Sequence, residues 1–353
     1  MIACSFAIPG DLDSKTGGYL YDRNLIEALR AERHDVDVLS IGDSFPDPSP
    51  TDQDAALNAL QSVAPDKPIV VDGLLYGALP TERLARVAAP MIALLHHPLG
   101  LEPGLSPDRA DALIALERAN LRLAAHVVVP SPHVARLLTV EFEVAEARIS
   151  VALPGFPRPE VRKLPKDDPP LILSVGLICA RKGHDVLLDA LARIRDLDWQ
   201  AAIVGLVQDS TLATSLQARC RASGLADRVR FTGCVTDAEL QTLYARASLF
   251  ALATRYEGYG MAFGEAMLNG LPIITCAAGA VPDTVPASAG LLVPPDDPVR
   301  LAHALRSVLS DPSRHAALER GARRAGRALP AWSDTASIMA AAVEQIQRER
   351  RGK

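Results

Sequence analysis

Short apolar runs and stretches with apolar residues at every third or fourth position take turns along most of this chain. Residues 1–8 are the first apolar run and read as a buried strand. A loop containing Gly and Asp follows, then a helical stretch over 19–30 in which Leu20, Leu25, Ile26 and Leu29 recur at helical spacing. Further strands are expected at 36–40, 69–71, 91–95 and 126–129, with a helix over 109–124 between the last two. Ser131 and Pro132 read as the cap and first position of another helix, which runs through Leu138. The stretch 43–54 is rich in Pro, Asp and Ser and is expected to be a surface loop. Strands this short, separated by helices, need crossover connections and therefore pair largely in parallel.

The pattern breaks over 154–170, where Pro154, Pro157, Pro159, Pro165, Pro169 and Pro170 stand among charged residues; this is the best linker in the chain. Then the alternation restarts. Strands are expected at 171–175, 201–205, 229–231, 249–253, 272–275 and 291–293. Helices are expected over 184–194, 211–222, 237–244, 262–269, 298–309 and 312–327. A last amphipathic helix covers 332–347, with Ser333 as its cap. The fold class is therefore α/β, with two Rossmann-like, doubly wound domains. The expected boundaries are 1–165, 166–330 and a terminal helical segment 331–353. Because such sheets bind ligands outside the carboxyl ends of their strands, two of them imply a central cleft that both face.

Composition narrows the function without naming it. A hydrophobic fraction of 48% and a charged fraction of 22% fit a soluble globular protein. A net charge of −5 and the lack of a long basic block argue against nucleic acid as a partner. Cysteines at 4, 179, 220, 234 and 276 are odd in number, and none stands in a CxxC pair or a metal-binding spacing. Reduced, mostly buried thiols and a cytoplasmic location are expected. The apolar N-terminus is too short for a signal peptide and lacks a basic leader, and no apolar run has the length of a membrane span. Peripheral contact with the inner face of a membrane stays open, and composition says nothing of oligomeric state.

The chemistry concentrates after the strand at 249–253. Glu257, Gly258, Tyr259, Gly260, Met261 and Glu265 lie in a Gly-rich turn that leads into an apolar helix. The glycines let the backbone approach an anionic ligand, and the helix N-terminus supplies a favourable field. Glu257 precedes the turn and Glu265 sits on the helix, so the two carboxylates can reach different parts of one ligand. The plainer reading is an ordinary strand–helix connection, with Glu257 solvated and Glu265 favouring the helix start. A second segment, from Ser174 to His184, ends a strand at Gly176 and carries Arg181 and Lys182 before a helix; alone, these two read as a solvated pair. Gly17 and Gly18 follow the first strand and start a helix. His96 and His97 stand at another strand end, without a third metal ligand at convincing spacing. No metal is expected.

With these segments in view, the chain resembles the retaining glycosyltransferase family 4, whose members have the two-domain GT-B architecture. The resemblance rests on a glutamate, seven intervening residues and a second glutamate, here Glu257 and Glu265. Gly270-Leu271-Pro272 and Gly279-Ala280-Val281-Pro282-Asp283 lie inside the same wider pattern, although the family often has glutamate where Asp283 stands. It covers almost the whole chain, more firmly in the second half. It implies that a hexose passes from a nucleoside-diphosphate sugar, UDP- or GDP-linked, to a hydroxyl of a glycan or lipid-linked saccharide, with no further cofactor. It also implies an acceptor side in the first domain, a donor side in the second, and a terminal helix that bridges back. Glu257 would contact donor-sugar hydroxyls and stabilise the reacting centre. His97 would stand near the sugar or acceptor, and Lys182 at the diphosphate. Glu265 would bind the ribose, the amides of Gly258, Tyr259, Gly260 and Met261 would approach sugar and phosphates, and the Gly17–Gly18 loop would close over the phosphates. The family frequently has arginine where Leu177 stands, and Arg181 is the candidate to compensate. The alternatives are a nucleotide-sugar epimerase of the same broad arrangement and a noncatalytic nucleotide-binding module. A dinucleotide oxidoreductase is disfavoured, since no GxGxxG follows the first strand.

Overall fold

A computed structural model describes residues 1–157 and 164–351. The chain divides into two units, Met1–Gly155 together with Pro330–Lys353, and Phe156–Leu329. Residues 158–163, in the middle of the expected Pro-rich linker, lie outside the described residues.

The first unit runs β1 (Ala3–Pro9), α1 (Gly17–Ala31), β2 (Asp35–Ile41), α2 (Pro50–Gln61), β3 (Ile69–Asp72), α3 (Gly73–Tyr76), α4 (Thr81–Leu84), β4 (Met91–Leu94), α5 (Pro107–Leu121), β5 (His126–Val129), α6 (Pro132–Glu141) and β6 (Ile149–Val151). Its six strands form one sheet in the order β2-β1-β3-β4-β5-β6, and each described pairing is parallel. Every residue of β3, β4 and β5 is buried, as expected when helices cover both faces of a parallel sheet.

The second unit runs β7 (Leu171–Val175), α7 (His184–Ala192), β8 (Gln200–Val204), α8 (Ser210–Ala222), β9 (Val229–Gly233), α9 (Asp237–Arg246), β10 (Leu249–Leu252), α10 (Met261–Leu268), β11 (Ile273–Cys276), α11 (Val281–Thr284), β12 (Gly290–Val293), α12 (Pro298–Leu309) and α13 (Pro312–Arg327). Its parallel sheet has the order β12-β11-β10-β7-β8-β9, the Rossmann arrangement. The two-residue period of β7 sends Ile172 into the core on one face and Leu171 and Leu173 into the core on the other. The chain then returns to the first unit as α14 (Trp332–Arg351). There Thr335 Oγ1 donates to the Leu153 carbonyl at 2.7 Å and Gln347 Nε2 to that of Ala3 at 3.0 Å. Trp332 meets Tyr21 edge-on at 5.4 Å between ring centroids.

Three expectations need correction. The stretch 43–54 is not loop throughout, because Ser49 starts α2 with a capping box in which its side chain and that of Asp52 each accept the other's backbone N–H. Ser333 does not cap α14, which already begins at Trp332; the Asp334 side chain instead accepts from the Ala331 N–H at 2.8 Å. Helix α5 begins two residues early, at Pro107, with Ser106 as its cap. Ser131 does cap α6, accepting from the Val134 N–H at 3.1 Å.

In an open α/β sheet, ligands gather outside the carboxyl ends of the strands where the strand order reverses. That point lies between β1 and β3 in the first unit and between β7 and β10 in the second.

Candidate functional site

In the second unit, the reversal brings the segment after β7 against the segment after β10. Gly176 follows β7 without a side chain, and a Cβ there would sit 3.2 Å from Lys182 Cδ. Residues Ala180–Lys182 make one tight helical turn that closes on Gly183 at φ +62°, where a Cβ would lie 1.9 Å from the Ala253 carbonyl oxygen. Only glycine allows that approach. The two loops are further stitched together by Arg255 N–H to the Arg181 carbonyl at 2.8 Å and by Thr254 Oγ1 to the same carbonyl at 3.2 Å.

This stitching aims Lys182 at Glu257. Lys182 Nζ stands 2.7 Å from Glu257 Oε1, and Arg181 Nη1 stands 3.7 Å from Oε2. Glu257 is 4% exposed. Burial by itself would raise its carboxyl; the charges of Lys182 and then Arg181, with hydrogen bonds from Lys182 and Thr254, outweigh it and hold the group below its ordinary range. The Glu257 backbone is fixed as well. Ala280 N–H donates to its carbonyl at 2.8 Å, and Gly279, at φ +58°, passes so close that a Cβ would lie 2.3 Å from the same oxygen. The result is an ionised carboxylate with two cations, at the reversal point of the sheet.

Glu265 lies on α10, whose N-cap position is Gly260 (φ +88°), so the helix has no side-chain cap. Tyr244, fully buried on α9, donates its hydroxyl to Glu265 Oε2 at 2.7 Å. Burial raises the Glu265 carboxyl, and the Tyr244 hydrogen bond only partly offsets this. Gly258, Tyr259, Gly260 and Met261 link the two glutamates. Tyr259 is nearly buried, its ring 6.2 Å from that of Phe156 and its carbonyl accepting from Thr284 Oγ1 at 2.8 Å.

In the first unit, the corresponding reversal gathers residues from α1, β3 and the end of β4. Gly17 and Gly18 open α1, again with no side-chain cap, and a Cβ on Gly18 would touch the His96 ring at 3.4 Å. His96 Nε2 is 2.8 Å from Asp22 Oδ1 and 3.9 Å from Asp72 Oδ2. Asp22 and Asp72 are buried and share a hydrogen bond, and Asp72 Oδ1 also accepts the Leu74 N–H at 2.9 Å. Burial, then the charge of Asp22, push the Asp72 carboxyl up to about 7. Burial would depress His96, but Asp22 and then Asp72 outweigh it and hold the imidazole above its ordinary value. His97 points elsewhere, with Nε2 3.2 Å from Glu102 Oε2.

The structure thus brings Arg181, Lys182, Glu257 and the 258–261 turn together in one unit, with Glu265 on the helix that this turn opens. It places Gly17 and Gly18 beside His96 in the other. Sequence reading passed over Tyr244, Asp22 and Asp72 as site residues. A signal for Asp22 was present: it shares the 22, 25, 26, 29 stripe with Leu25, Ile26 and Leu29, all buried, and a carboxylate on an apolar stripe needs a partner. Asp22, Asp72 and His96, whose ligand atoms lie within 4.8 Å of one another, also supply the spatial grouping that spacing along the chain did not reveal.

Residues 158–325 match the family model described as glycosyl transferases group 1. The mannosylfructose-phosphate synthase of Agrobacterium fabrum is 29% identical over 182 residues, 49% of this chain and 40% of that protein, so the match spans less than half of that relative's length. Among solved structures, the sucrose-phosphate synthase of Thermosynechococcus elongatus superposes with a TM-score of 0.82 at 22% identity, covering 98% of this chain and all (100%) of that one. Anabaena HepE, solved in complex with UDP and glucose, superposes with a TM-score of 0.79 at 18% identity, with 98% and 100% covered. Residues 158–325, most of the second unit, are thus similar to the glycosyl transferases group 1 family, and the two doubly wound units have the GT-B fold.

Proposed function

We propose that this protein is a retaining glycosyltransferase that moves a hexose from a nucleoside-diphosphate sugar to a hydroxyl of a glycan or lipid-linked saccharide. The observation that carries the reading is the Lys182–Glu257 pair, 2.7 Å apart, at the reversal point of a Rossmann-ordered sheet. An ammonium at that point neutralises charge gathering on a departing diphosphate, and an ionised, immobile carboxylate orients sugar hydroxyls and stabilises positive charge developing at the anomeric carbon. In this reading the bond from the anomeric carbon to the diphosphate breaks as the acceptor oxygen bonds on the same face, and the hydroxyl proton leaves toward the diphosphate. Glu265 binds the ribose, and Gly17, Gly18 and the 258–261 amides line the phosphates and sugar. His97 stands near sugar or acceptor, and Arg181 supplies the second cation. UDP bound by the Anabaena relative supports a uridine donor, with a GDP-sugar as the other candidate. The reading carries with it a metal-independent reaction and a cytoplasmic location, with peripheral membrane contact where the acceptor is lipid-linked.

The test is a panel of nucleotide-sugars followed by mass spectrometry, first alone and then with defined saccharide and lipid-linked acceptors. Nucleotide release coupled to a product that keeps the donor's anomeric configuration is the expected result. Isomerised donor without transfer identifies an epimerase. Binding without turnover across the panel identifies a noncatalytic module and overturns the proposal.

A further inference from the structure

Two carboxyl groups buried side by side, with one histidine between them and solvent, are an expensive way to build a core. Apolar residues of similar volume generally stabilise an interior at least as well as buried charges do. Such groups persist at functional sites, where perturbed protonation is the point of the arrangement. Asp22 and Asp72 come from different elements, α1 and the end of β3, and meet at the reversal point of the first unit's sheet. Exposure grades outward across the cluster, from 1% for the Asp22 side chain and 5% for Asp72 to 21% for His96. Nε2 of His96 is engaged by Asp22, and among the described residues no hydrogen bond reaches Nδ1. The ring is also held in place, by Tyr21 edge-on at 4.9 Å between centroids and by Gly18 against Cδ2.

We propose that Asp22 and Asp72 are positioning residues for His96, which presents an imidazolium N–H through Nδ1 to a partly negative oxygen of the bound substrate. This rests on the glycosyl-transfer reading above and adds to it a second histidine beside His97, with the two carboxyls behind it that fix its charge and direction. Asp22 makes the direct hydrogen bond. Asp72, with a carboxyl pushed up to about 7, keeps its proton in mildly acidic solution and becomes a second anion behind the ring as pH rises. The ionisable groups around the ring are Asp22, Tyr19 and Tyr21 from α1 and Asp72 from β3. Tyr19 is pushed up to about 12 and Tyr21 still higher, so neither phenol ionises near neutrality. Removing the Asp22 charge withdraws the largest influence that raises His96.

The protein is labelled at its histidine ring carbons and followed by NMR across pH without substrate, with the His96 signal assigned by its loss in His96→Gln. In the wild type His96 is expected to keep its proton to higher pH than in Asp22→Asn; identical titrations overturn the proposal. Steady-state kinetics give the second readout. The kcat/KM of Asp22→Asn is expected to fall by about tenfold or more at pH 8, the size of one charge-assisted hydrogen bond. Its alkaline limb should move to lower pH. An equal loss at every pH, with the limb unmoved, would mark a merely structural role and also overturn the proposal. The NMR experiment needs no turnover, so a shifted titration in a protein inactive on the donor panel would fault the transfer reading. An unshifted one in an active enzyme would fault only the positioning role.

Discussion

Burial alone would raise the Glu257 carboxyl; Lys182, and then Arg181, outweigh it and hold the group below its ordinary range. A carboxyl depressed in the folded state contributes stability that is present above its unfolded value and is lost as pH falls through the folded value. In Lys182→Met the burial remains and the nearest cation is gone. We expect stability at neutral pH to drop by about 3 kcal/mol and the deficit to shrink as pH falls and Glu257 takes up its proton, measured by urea unfolding along a pH series. A deficit of the same size at every pH would show that the pair is not coupled in solution. Glu117 gives the opposite sign. It is buried on α5, Gly100 N–H donates to its Oε2 at 3.4 Å, and a Cβ on Gly77 would sit 2.8 Å from its Oε1. Burial pushes this carboxyl up to about 7, so the stability it contributes is complete below its unfolded value and is lost as pH rises toward 7. Glu117→Gln should therefore gain on the wild type by about 3 kcal/mol between pH 4 and pH 8. Parallel stability curves would contradict the shift.

Among elements, the strands and long helices were readable because their signals are local. The apolar runs of β3, β4, β5 and β7 and the stripe of α1 stand in the sequence as they stand in the fold. Helix α2 was misread because Pro, Asp and Ser were weighed as loop formers, although Ser49-Pro50-Thr51-Asp52 also spells a helix start. The short α3, α4 and β6 went unnoticed, being three or four residues each and too brief to show a period. The carboxylate motif around Glu257 and Glu265 was legible from its spacing and glycines. Its partners were not, since Lys182 is 75 positions from Glu257, and His96 is 74 from Asp22. Only the strand order brings them together. The same distinction ranks the glycines. Gly183→Ala forces a left-handed alanine into the Ala253 carbonyl, and we expect a loss of about 3 kcal/mol or more as the Lys182 turn is displaced. Gly17→Ala, whose Cβ meets nothing within 4 Å, should stay within about 1 kcal/mol of the wild type. Thermal unfolding of the two variants side by side checks this, and equal losses would contradict the close approach at Gly183.

For the molecule as a whole, the division of the chain matters more than any one element. The first unit is discontinuous: Met1–Gly155 is completed by a segment that follows the entire second unit. Helix α14 buries Ala336, Met339, Val343 and Ile346, and Gly155 leaves room for Trp332, whose backbone nitrogen a Cβ would meet at 2.2 Å. Each large apolar side chain so buried is worth about 1.5–3 kcal/mol, so together they approach the whole stability of a domain. A chain ending at Leu329 should keep a cooperative unfolding transition for the second unit and lose protection from amide hydrogen exchange throughout the first. Retained protection in β3 and β4 would show that α14 is dispensable. The same arrangement sets a timetable during synthesis. When a ribosome has finished the sheet that begins with β1, the covering for that sheet has yet to be translated, and the Rossmann-ordered half emerges complete in the interval. The half made first is thus the half finished last, and its apolar flank must be shielded for as long as about 180 further residues take to appear.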